Sequence, residues 1–153
     1  MSLSRLVAES AAAIGVNLDR RQIALFLDYL HSISIWNEKI NLVSIKSSVD
    51  IPIKHFIDSL APHRFIPDPT GSLLDIGTGA GFPGIPLKIA FPSLRVTLLE
   101  SSRKRSSFLK HVIRTLQLKA ITVWNGRVEA YLENGLSLET FDVVISRATF
   151  KLT

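Results

Sequence analysis

A short apolar strand that runs directly into a glycine-rich loop is the most constraining feature of this sequence. Leu73–Ile76 is followed by Gly77-Thr78-Gly79-Ala80-Gly81 and then by Phe82-Pro83-Gly84. Glycine lacks a Cβ and tolerates positive φ, so the backbone N–H groups of such a loop can approach a ligand directly. Pro83 suits the first turn of a helix, whose N-terminus receives nucleotide-type ligands. Because Glu100 ends the next predicted strand, where an acid binds ribose hydroxyls, the segment predicts a nucleoside-binding βαβ unit.

Charge distinguishes the two ligand classes that use such a unit. Residues 79–84 match the dinucleotide pattern G-x-G-x-x-G, which is a weak signal on its own. A dinucleotide would bring its pyrophosphate near the Asp75 carboxylate, at a cost on the order of a few kcal/mol in a partly buried site. S-adenosylmethionine (AdoMet) has no phosphate there and carries an ammonium and a sulfonium group. Asp75 at the strand tip therefore favours AdoMet, with an NAD-dependent oxidoreductase as the alternative.

Length and composition predict one ordinary domain. The chain has 153 residues, of which 46% are hydrophobic, so a sizeable core can form. The absence of cysteine excludes disulfides, thiolate metal sites and cysteine nucleophiles, and no cluster at metal-ligand spacing is found. Glu9 interrupts the N-terminal apolar stretch, and no apolar run reaches the length of a membrane span. We therefore expect a cytoplasmic protein without a metal or a membrane partner.

The positive charge lies entirely in the half that carries the glycine loop. Residues 1–70 hold seven Lys/Arg and seven Asp/Glu, whereas residues 71–153 hold eleven and six, for a net charge of +5. This asymmetry suits a polyanionic partner such as a nucleic acid.

The pattern of apolar residues predicts a helical segment followed by an alternating α/β segment. Apolar spacing and a capping-box-like start at Asp19 predict helices over 4–14, 19–36 and 49–60. After Pro67 and Pro69, strands are predicted at 72–76, 95–99, 121–125 and 142–146, alternating with helices at 83–91, 103–116 and 128–133. Such alternation implies right-handed crossovers and a parallel sheet. Because only seven residues follow the fourth strand, we expect either a fragment or a partner that covers this edge.

Several motifs resemble the bacterial glucose-inhibited division protein B family from about Leu25 to Lys151. The likeness is carried by Trp36–Leu42, His55–Leu60, Asp75–Pro86, Leu98–Ser101 with Lys104 and Arg105, Arg127–Glu129 and Ile145–Ala148. The resemblance implies a Rossmann-like AdoMet-dependent methyltransferase fold with a partial parallel sheet and an N-terminal helical cap. The cap would span residues 1–70, and the AdoMet-binding domain, incomplete at its C-terminus, residues 71–153.

The same resemblance implies methyl transfer from AdoMet to guanine N7 in small-subunit (16S) ribosomal RNA, by a protein that is a monomer when full length. Gly77 and Phe82 would line the methionine end of the cofactor, and Glu100 would hold its ribose. The remaining expected cofactor contacts are Asp75, Gly79, Gly81, Val128, Glu129 and Arg147. Family members are longer and continue with further strands and helices that supply basic residues.

The residues expected at the target base need not include a general base. Guanine N7 bears a lone pair and no proton, so the protein has to align the reactants and exclude water. Arg147, Asn41 and His55 are the candidate catalytic residues, since the resemblance places them at the target. Arg147 could bond guanine O6 or a phosphate, or be a surface arginine. His55 could contact the base or pair with Asp58 on the same helix face.

A basic run at the start of one predicted helix is the candidate RNA contact. Arg103, Lys104 and Arg105 could bind RNA phosphates or form a solvated face. A third interpretation of the whole chain is a non-catalytic ribosome- or RNA-binding module whose AdoMet site is vestigial.

Overall fold

The computed structural model describes residues 2–43 and 50–147, with the side chains of residues 50–52 left aside. Three helices come first: α1 (Leu3–Ala13), α2 (Arg20–Asn37) and α3 (Asp50–Leu60). A 3-10 turn at Ala61–Phe65 leads into the alternating segment. That segment consists of β1 (Ser72–Ile76), α4 (Gly84–Ala90), β2 (Arg95–Glu100), α5 (Arg103–Thr115), β3 (Ile121–Asn125), α6 (Val128–Glu133) and β4 (Val143–Ser146).

The strands form one parallel sheet in the order β3-β2-β1-β4. In the register of the sheet, Leu74 lies opposite Thr97 of β2 and Val144 of β4. The strand order reverses between β1 and β4, and ligands of open α/β sheets bind beyond the carboxyl ends of the strands at such a point. The fold therefore places the candidate site beyond Ile76 and Ser146.

Both faces of β1 are covered, as its apolar composition predicts for a parallel strand. Leu73 faces a large core that includes α2, α3, α4 and α5. Leu74 and Ile76 face the opposite side, where they pack in a smaller cluster with Tyr131 of α6. Asp75 alternates with Leu74, so its side chain points towards the large core and the helical cap.

The helical cap packs on the sheet through one continuous core. Phe26 and Tyr29 of α2 and Phe56 of α3 are buried together with Leu73 and Leu98 of the sheet. The division at residue 70 stays a prediction, since this core spans both parts.

Polar contacts strengthen the junction between α2 and α4. Asp19 and Gln22 form a capping box with two 2.8 Å hydrogen bonds, and the Gln22 amide also donates to the carbonyls of Ile89 and Ala90. The predicted capping-box start of α2 is thus present, and the same glutamine satisfies the last carbonyls of α4.

The remaining elements agree closely with the sequence prediction. β1 and β3 have the predicted bounds, and the fourth strand begins one residue later than expected, at Val143. Trp36 packs on Phe108 and His111 and so anchors α2 to α5.

Candidate active site

The glycine loop between β1 and α4 has a backbone that only glycine adopts readily. Gly77, Gly79 and Gly81 have φ values of 68°, 61° and 105°. The N–H groups of Gly77 and Thr78 donate to the Leu99 carbonyl at 2.8 and 3.2 Å, so the loop is anchored to the end of β2. This anchoring fixes the loop backbone at the carboxyl edge of the sheet.

Asp75 lies beneath this loop and is fully buried. Its Oδ2 accepts hydrogen bonds from the Thr78 hydroxyl at 2.6 Å and from the Gly84 N–H at 2.9 Å. Its Oδ1 is buried without a hydrogen-bond partner. Burial raises the pKa of Asp75 to about 7 against the opposing effect of these hydrogen bonds. The carboxyl group thus braces the loop from below, and its direct contact with a cofactor stays a prediction.

Glu100 braces the same loop from the end of β2. Its Oε2 accepts from the Gly79 N–H at 2.8 Å, and its Oε1 accepts from the Ser102 N–H at 3.1 Å. Each carboxylate oxygen has a second lone pair, so both can still accept from ribose hydroxyls. Ribose binding by Glu100 stays a prediction.

Two adjoining hollows lie at the carboxyl edge of the sheet, and both are lined by Gly77. One has a cavity volume of about 420 Å³ and the other of about 300 Å³, within the range of small-molecule sites. We call them the loop hollow and the α6 hollow. The loop hollow is lined by Leu42, Val43, His55, residues 77–80, Phe82, Arg105 and Arg147. The α6 hollow is lined by Ile76, Gly77, Leu99, Ser101, Gly126, Arg127, Val128 and Glu129.

Three predicted residues from distant parts of the chain meet in the loop hollow. The rings of His55 and Phe82 are stacked, with centroids 5.5 Å apart. The Arg147 guanidinium lies 5.4 Å from the centroid of the same Phe82 ring, which is within cation–π range. Phe82 thus connects α3, the glycine loop and the end of β4.

The contact between Arg147 and His55 sets the protonation state of the imidazole. Arg147 Nη2 lies 3.2 Å from His55 Nδ1, and a guanidinium has only donors, so Nδ1 accepts and Nε2 carries the proton. Burial and the nearby charge of Arg147 lower the pKa of His55, whereas Asp58 opposes this effect. The chemistry of the donor therefore favours a neutral His55 with an Nε2–H.

The predicted basic and amide residues occupy the rim. Arg105 lines the loop hollow and donates to the Asn41 carbonyl at 3.3 Å from Nη2. Asn41 is exposed and contributes its backbone here, while Arg103 and Lys104 are exposed at the start of α5. The structure does not bring Arg103 and Lys104 into the hollows, and their RNA contact stays a prediction.

Tyr29 and Thr78 are structural residues of the site that sequence reasoning missed. Tyr29 lies within the predicted second helix without a motif that marks it, and only the packing of α2 against the loop reveals its hydroxyl contact with Ala80. Thr78 stands three residues after Asp75, a turn spacing that could have indicated their hydrogen bond. Gly81 is part of the same support, because its Cα packs beside Tyr29 and Ile85.

Residues 2–43 and 50–147 contain neither a cluster of metal ligands nor a helix that could span a membrane. Within these ranges no group of three or more His, Asp or Glu residues could hold a metal ion. None of the helices described there combines the length and apolar character needed to cross a bilayer.

The fold and the glycine loop together define a Rossmann-like α/β domain. An O-methyltransferase from Bacillus cereus, solved in complex with SAH, is similar over 96% of this chain and 63% of its own, with a TM-score of 0.59 and 19% identity. A putative protein-L-isoaspartate O-methyltransferase from Plasmodium falciparum covers 95% of this chain and 73% of its own, with a TM-score of 0.51 and 16% identity. These likenesses establish the fold.

The chain belongs to the GidB family, described as rRNA small subunit methyltransferase G, whose family model matches residues 22–153. The ribosomal RNA small subunit methyltransferase G of Syntrophus aciditrophicus is 51% identical over 149 residues, which is 97% of this chain and 62% of the relative. That of Acetivibrio thermocellus is 44% identical and covers 99% of this chain and 63% of its own length. The chain thus spans less than two thirds of these relatives.

Proposed function

We propose that this chain carries the AdoMet-binding part of a methyltransferase that modifies guanine N7 in small-subunit ribosomal RNA. The observation that carries this proposal is the cluster of Phe82, His55 and Arg147 beside the glycine loop, at the point where the strand order reverses. Membership of the GidB family supports the same reaction class and RNA substrate. A cytoplasmic location and a monomeric state belong to this proposal.

The residues of the two hollows fit a nucleoside with a charged amino-acid tail. Gly77 and Phe82 would line the methionine end of the cofactor in the loop hollow, together with Gly79, and Gly77 also borders the α6 hollow. In the α6 hollow, the half-buried Val128 and the exposed Glu129 would border the adenine. Glu100 places negative charge beneath the loop, and Asp75, whose pKa is raised to about 7, would add to it when a cationic ligand favours its ionised form.

When bound, AdoMet supplies an electrophilic methyl group on its sulfonium. The chain's own residues then need to hold the target base in line and exclude water, since guanine N7 has no proton to remove. Arg147 would donate to guanine O6, which an N7 acceptor leaves available. His55 would keep the guanidinium oriented through its Nδ1, and the Phe82 ring beneath both would fix their plane.

The RNA strand would reach the site over the basic start of α5. Arg105 already lines the loop hollow, and Arg103 and Lys104 are exposed next to it. Phosphate contacts by these three cations would weaken binding as the salt concentration rises. Asn41 would face the target from the rim beside Arg105.

A calorimetric titration with AdoMet and with NAD tests the cofactor. We expect binding of AdoMet, and a sharp loss of affinity in Asp75→Ala and in Glu100→Ala. Unchanged affinity in both variants contradicts the assignment, and binding of NAD alone favours the oxidoreductase.

Ribosomal RNA from a strain that lacks this gene tests the reaction. We expect one N7-methylguanine of the small subunit to be absent, and to return when the gene is restored. An unchanged methylation pattern together with retained RNA binding would indicate a non-catalytic module instead.

A further inference from the structure

We propose that a groove between α5 and β3, the edge strand of the described sheet, binds the phosphate backbone of the RNA, at a distance from the methyl-transfer site. This inference rests on the proposed function for the identity of the RNA, and on the charge and shape of the groove for its location. We call it the α5–β3 groove.

The groove is larger than either of the two hollows described above, with a cavity volume of about 670 Å³. Three cations line it, namely Lys110 and Arg114 of α5 and Lys119 of the following turn. No carboxylate lines it. Within residues 2–43 and 50–147, none of these three cations lies within salt-bridge distance of a carboxylate. The groove therefore concentrates positive charge that the described part of the chain does not neutralise.

The spacing of residues along α5 places the cations of this groove on the same helix face as Arg103. Arg103, Ser107, Lys110 and Arg114 follow one another at intervals of four, three and four residues, which places them on one exposed face of the helix. The stripe runs for about 16 Å at 1.5 Å per residue. It begins at the start of α5 and ends in the groove, whereas Arg105, which lines the loop hollow, lies on the opposite face of the helix. A polyanion that reaches Arg103 at the start of α5 could continue along it.

The local fold holds the far end of this stripe in place. Leu118 N–H donates to the Ile113 carbonyl and Gln117 N–H to the Arg114 carbonyl, a Schellman arrangement that ends α5. Gln117 itself has a φ of 53°, as this motif requires of the residue after the helix cap. The turn places Lys119 in the lining of the groove, two residues before the start of β3.

The chemistry of the groove selects RNA over a protein partner. A nucleic-acid strand presents a continuous row of phosphate charges, which a stripe of about 16 Å can follow. The groove offers no carboxylate or buried hydrogen-bond donor that would read a base, so we expect binding without sequence preference. The groove would raise the affinity for the RNA and help to orient it.

The test compares two charge-matched double variants of the whole chain. Lys110→Gln with Arg114→Gln removes two charges from the groove, and Arg20→Gln with Arg21→Gln removes two exposed charges from the start of α2 on the cap. Affinity for a labelled single-stranded RNA from the small subunit is measured against salt concentration. We expect the groove pair to reduce the salt slope by about 1.4 and the affinity at 0.1 M salt by roughly 25-fold, at about 0.7 per phosphate contact. The cap pair should keep the slope of the unaltered chain.

Equal slopes for the two pairs overturn the proposal. The proposal is also overturned if the groove pair no longer binds polyglutamate but still binds RNA like the unaltered chain. That result would assign the groove to an acidic protein. Lys119→Gln, a single change in a surface turn, repeats the test if the groove pair unfolds, and should reduce the slope by about 0.7. AdoMet affinity is measured on the same variants and should not change. An error in the cofactor assignment can therefore be told apart from an error in the assignment of the groove to RNA.

Discussion

The hydroxyl of Tyr29 donates a hydrogen bond of 2.5 Å to the carbonyl of Ala80, 51 residues further along the chain. This bond ties α2 of the cap to the glycine loop, and the Tyr29 ring also packs on Phe56 and Phe82. Burial raises the pKa of Tyr29 well above its ordinary value, so the hydroxyl keeps its proton and stays a donor. The cap therefore helps to hold the glycine loop in place.

Tyr29→Phe should loosen the glycine loop while leaving the aromatic packing in place. The Ala80 carbonyl would lose its buried donor, which costs about 1–3 kcal/mol of the free energy of unfolding. We also expect a clear loss of AdoMet affinity, because the loop backbone would no longer be held. Denaturant unfolding and calorimetry measure the two effects. The matched control is Tyr131→Phe, a buried tyrosine on the opposite face of the sheet, which should leave AdoMet binding unchanged.

The order and bounds of the elements could be predicted because they depend on local patterns. Apolar runs bounded by Pro and Gly identified β1 as a buried parallel strand, and helical spacing identified α2. The loop after β1 could be predicted as well, since alternate glycines permit the positive φ that the structure shows at Gly77 and Gly79. These features need no knowledge of distant partners.

The orientation of Asp75 could not be predicted in the same way. The sequence places a carboxylate at a strand tip, but the pleat and the position of α4 decide whether it faces the cleft or the core. The structure turns it towards Gly84, under the loop, where burial raises its pKa. The contacts of Tyr29 with Ala80 and of Arg147 with His55 likewise join residues far apart in the chain. Long-range packing creates such contacts, and local periodicity does not encode them.

Three glycine-to-alanine variants should distinguish three effects of an added methyl group, namely backbone strain at Gly135, a methyl group inside the loop hollow at Gly79 and steric overlap at Gly81. Gly135 has a φ of 77° and open space where an alanine Cβ would lie, so Gly135→Ala should cost only the strain of a left-handed residue, about 1–2 kcal/mol. Gly79→Ala has the same open space but faces the loop hollow. It should cost a similar free energy of unfolding and reduce AdoMet affinity at least tenfold.

Gly81→Ala should be the most damaging of the three. Its Cβ would lie 2.5 Å from Ile85 Cδ1 and 2.7 Å from the Tyr29 hydroxyl oxygen, at a φ of 105°. Overlap of this kind adds about 1–3 kcal/mol to the backbone strain. Thermal unfolding of the three variants checks the order, with Gly81→Ala expected to unfold at a lower temperature than Gly79→Ala and Gly135→Ala. A Gly81→Ala chain as stable as Gly135→Ala would show that the loop yields to the methyl group.

Asp75 should make stability depend on pH. Its pKa is raised from 3.8 to about 7 in the folded chain, so the folded state binds the proton more tightly than the unfolded state. The free energy of unfolding therefore falls as pH rises between these values, by a few kcal/mol at about 1.4 kcal/mol per pKa unit. Asp75→Asn should remove this part of the pH dependence, which denaturant unfolding at pH 5 and pH 8 measures. If the free energy of unfolding changes equally with pH in the unaltered chain and in Asp75→Asn, the raised pKa of Asp75 is contradicted.

The same group should make cofactor affinity depend on pH in the opposite sense. A cationic ligand near the loop favours the ionised form of Asp75, so AdoMet binding should release a proton and strengthen as pH rises through about 7. Calorimetry in buffers of different ionisation enthalpy measures the proton release. Asp75→Asn serves as the control, because any remaining pH dependence belongs to AdoMet itself or to other groups.

His55 should act on the reaction by orienting Arg147. His55→Phe keeps a ring to stack on Phe82 but removes the Nδ1 acceptor, whereas His55→Gln keeps an acceptor and removes the ring. Loss of a hydrogen bond to a charged group costs about 1.5–3 kcal/mol, so we expect His55→Phe to lower kcat at least tenfold with little change in AdoMet affinity. His55→Gln should retain more activity than His55→Phe if the acceptor matters more than the stack. The reverse order would assign the role of His55 to stacking.

The pKa of His55 can be used to test the contact between His55 and Arg147 without an activity assay. The charge of Arg147 is one of the causes that lower this pKa, after burial, and Asp58 partly offsets it. Arg147→Gln removes the charge and keeps a donor, so the His55 pKa should move back up towards its ordinary value. Asp58→Asn should move it further down, because the opposing negative charge is lost. Proton NMR titration of the His55 ring measures both shifts, and a pKa that responds to neither variant would mean that Arg147 does not face His55 in solution.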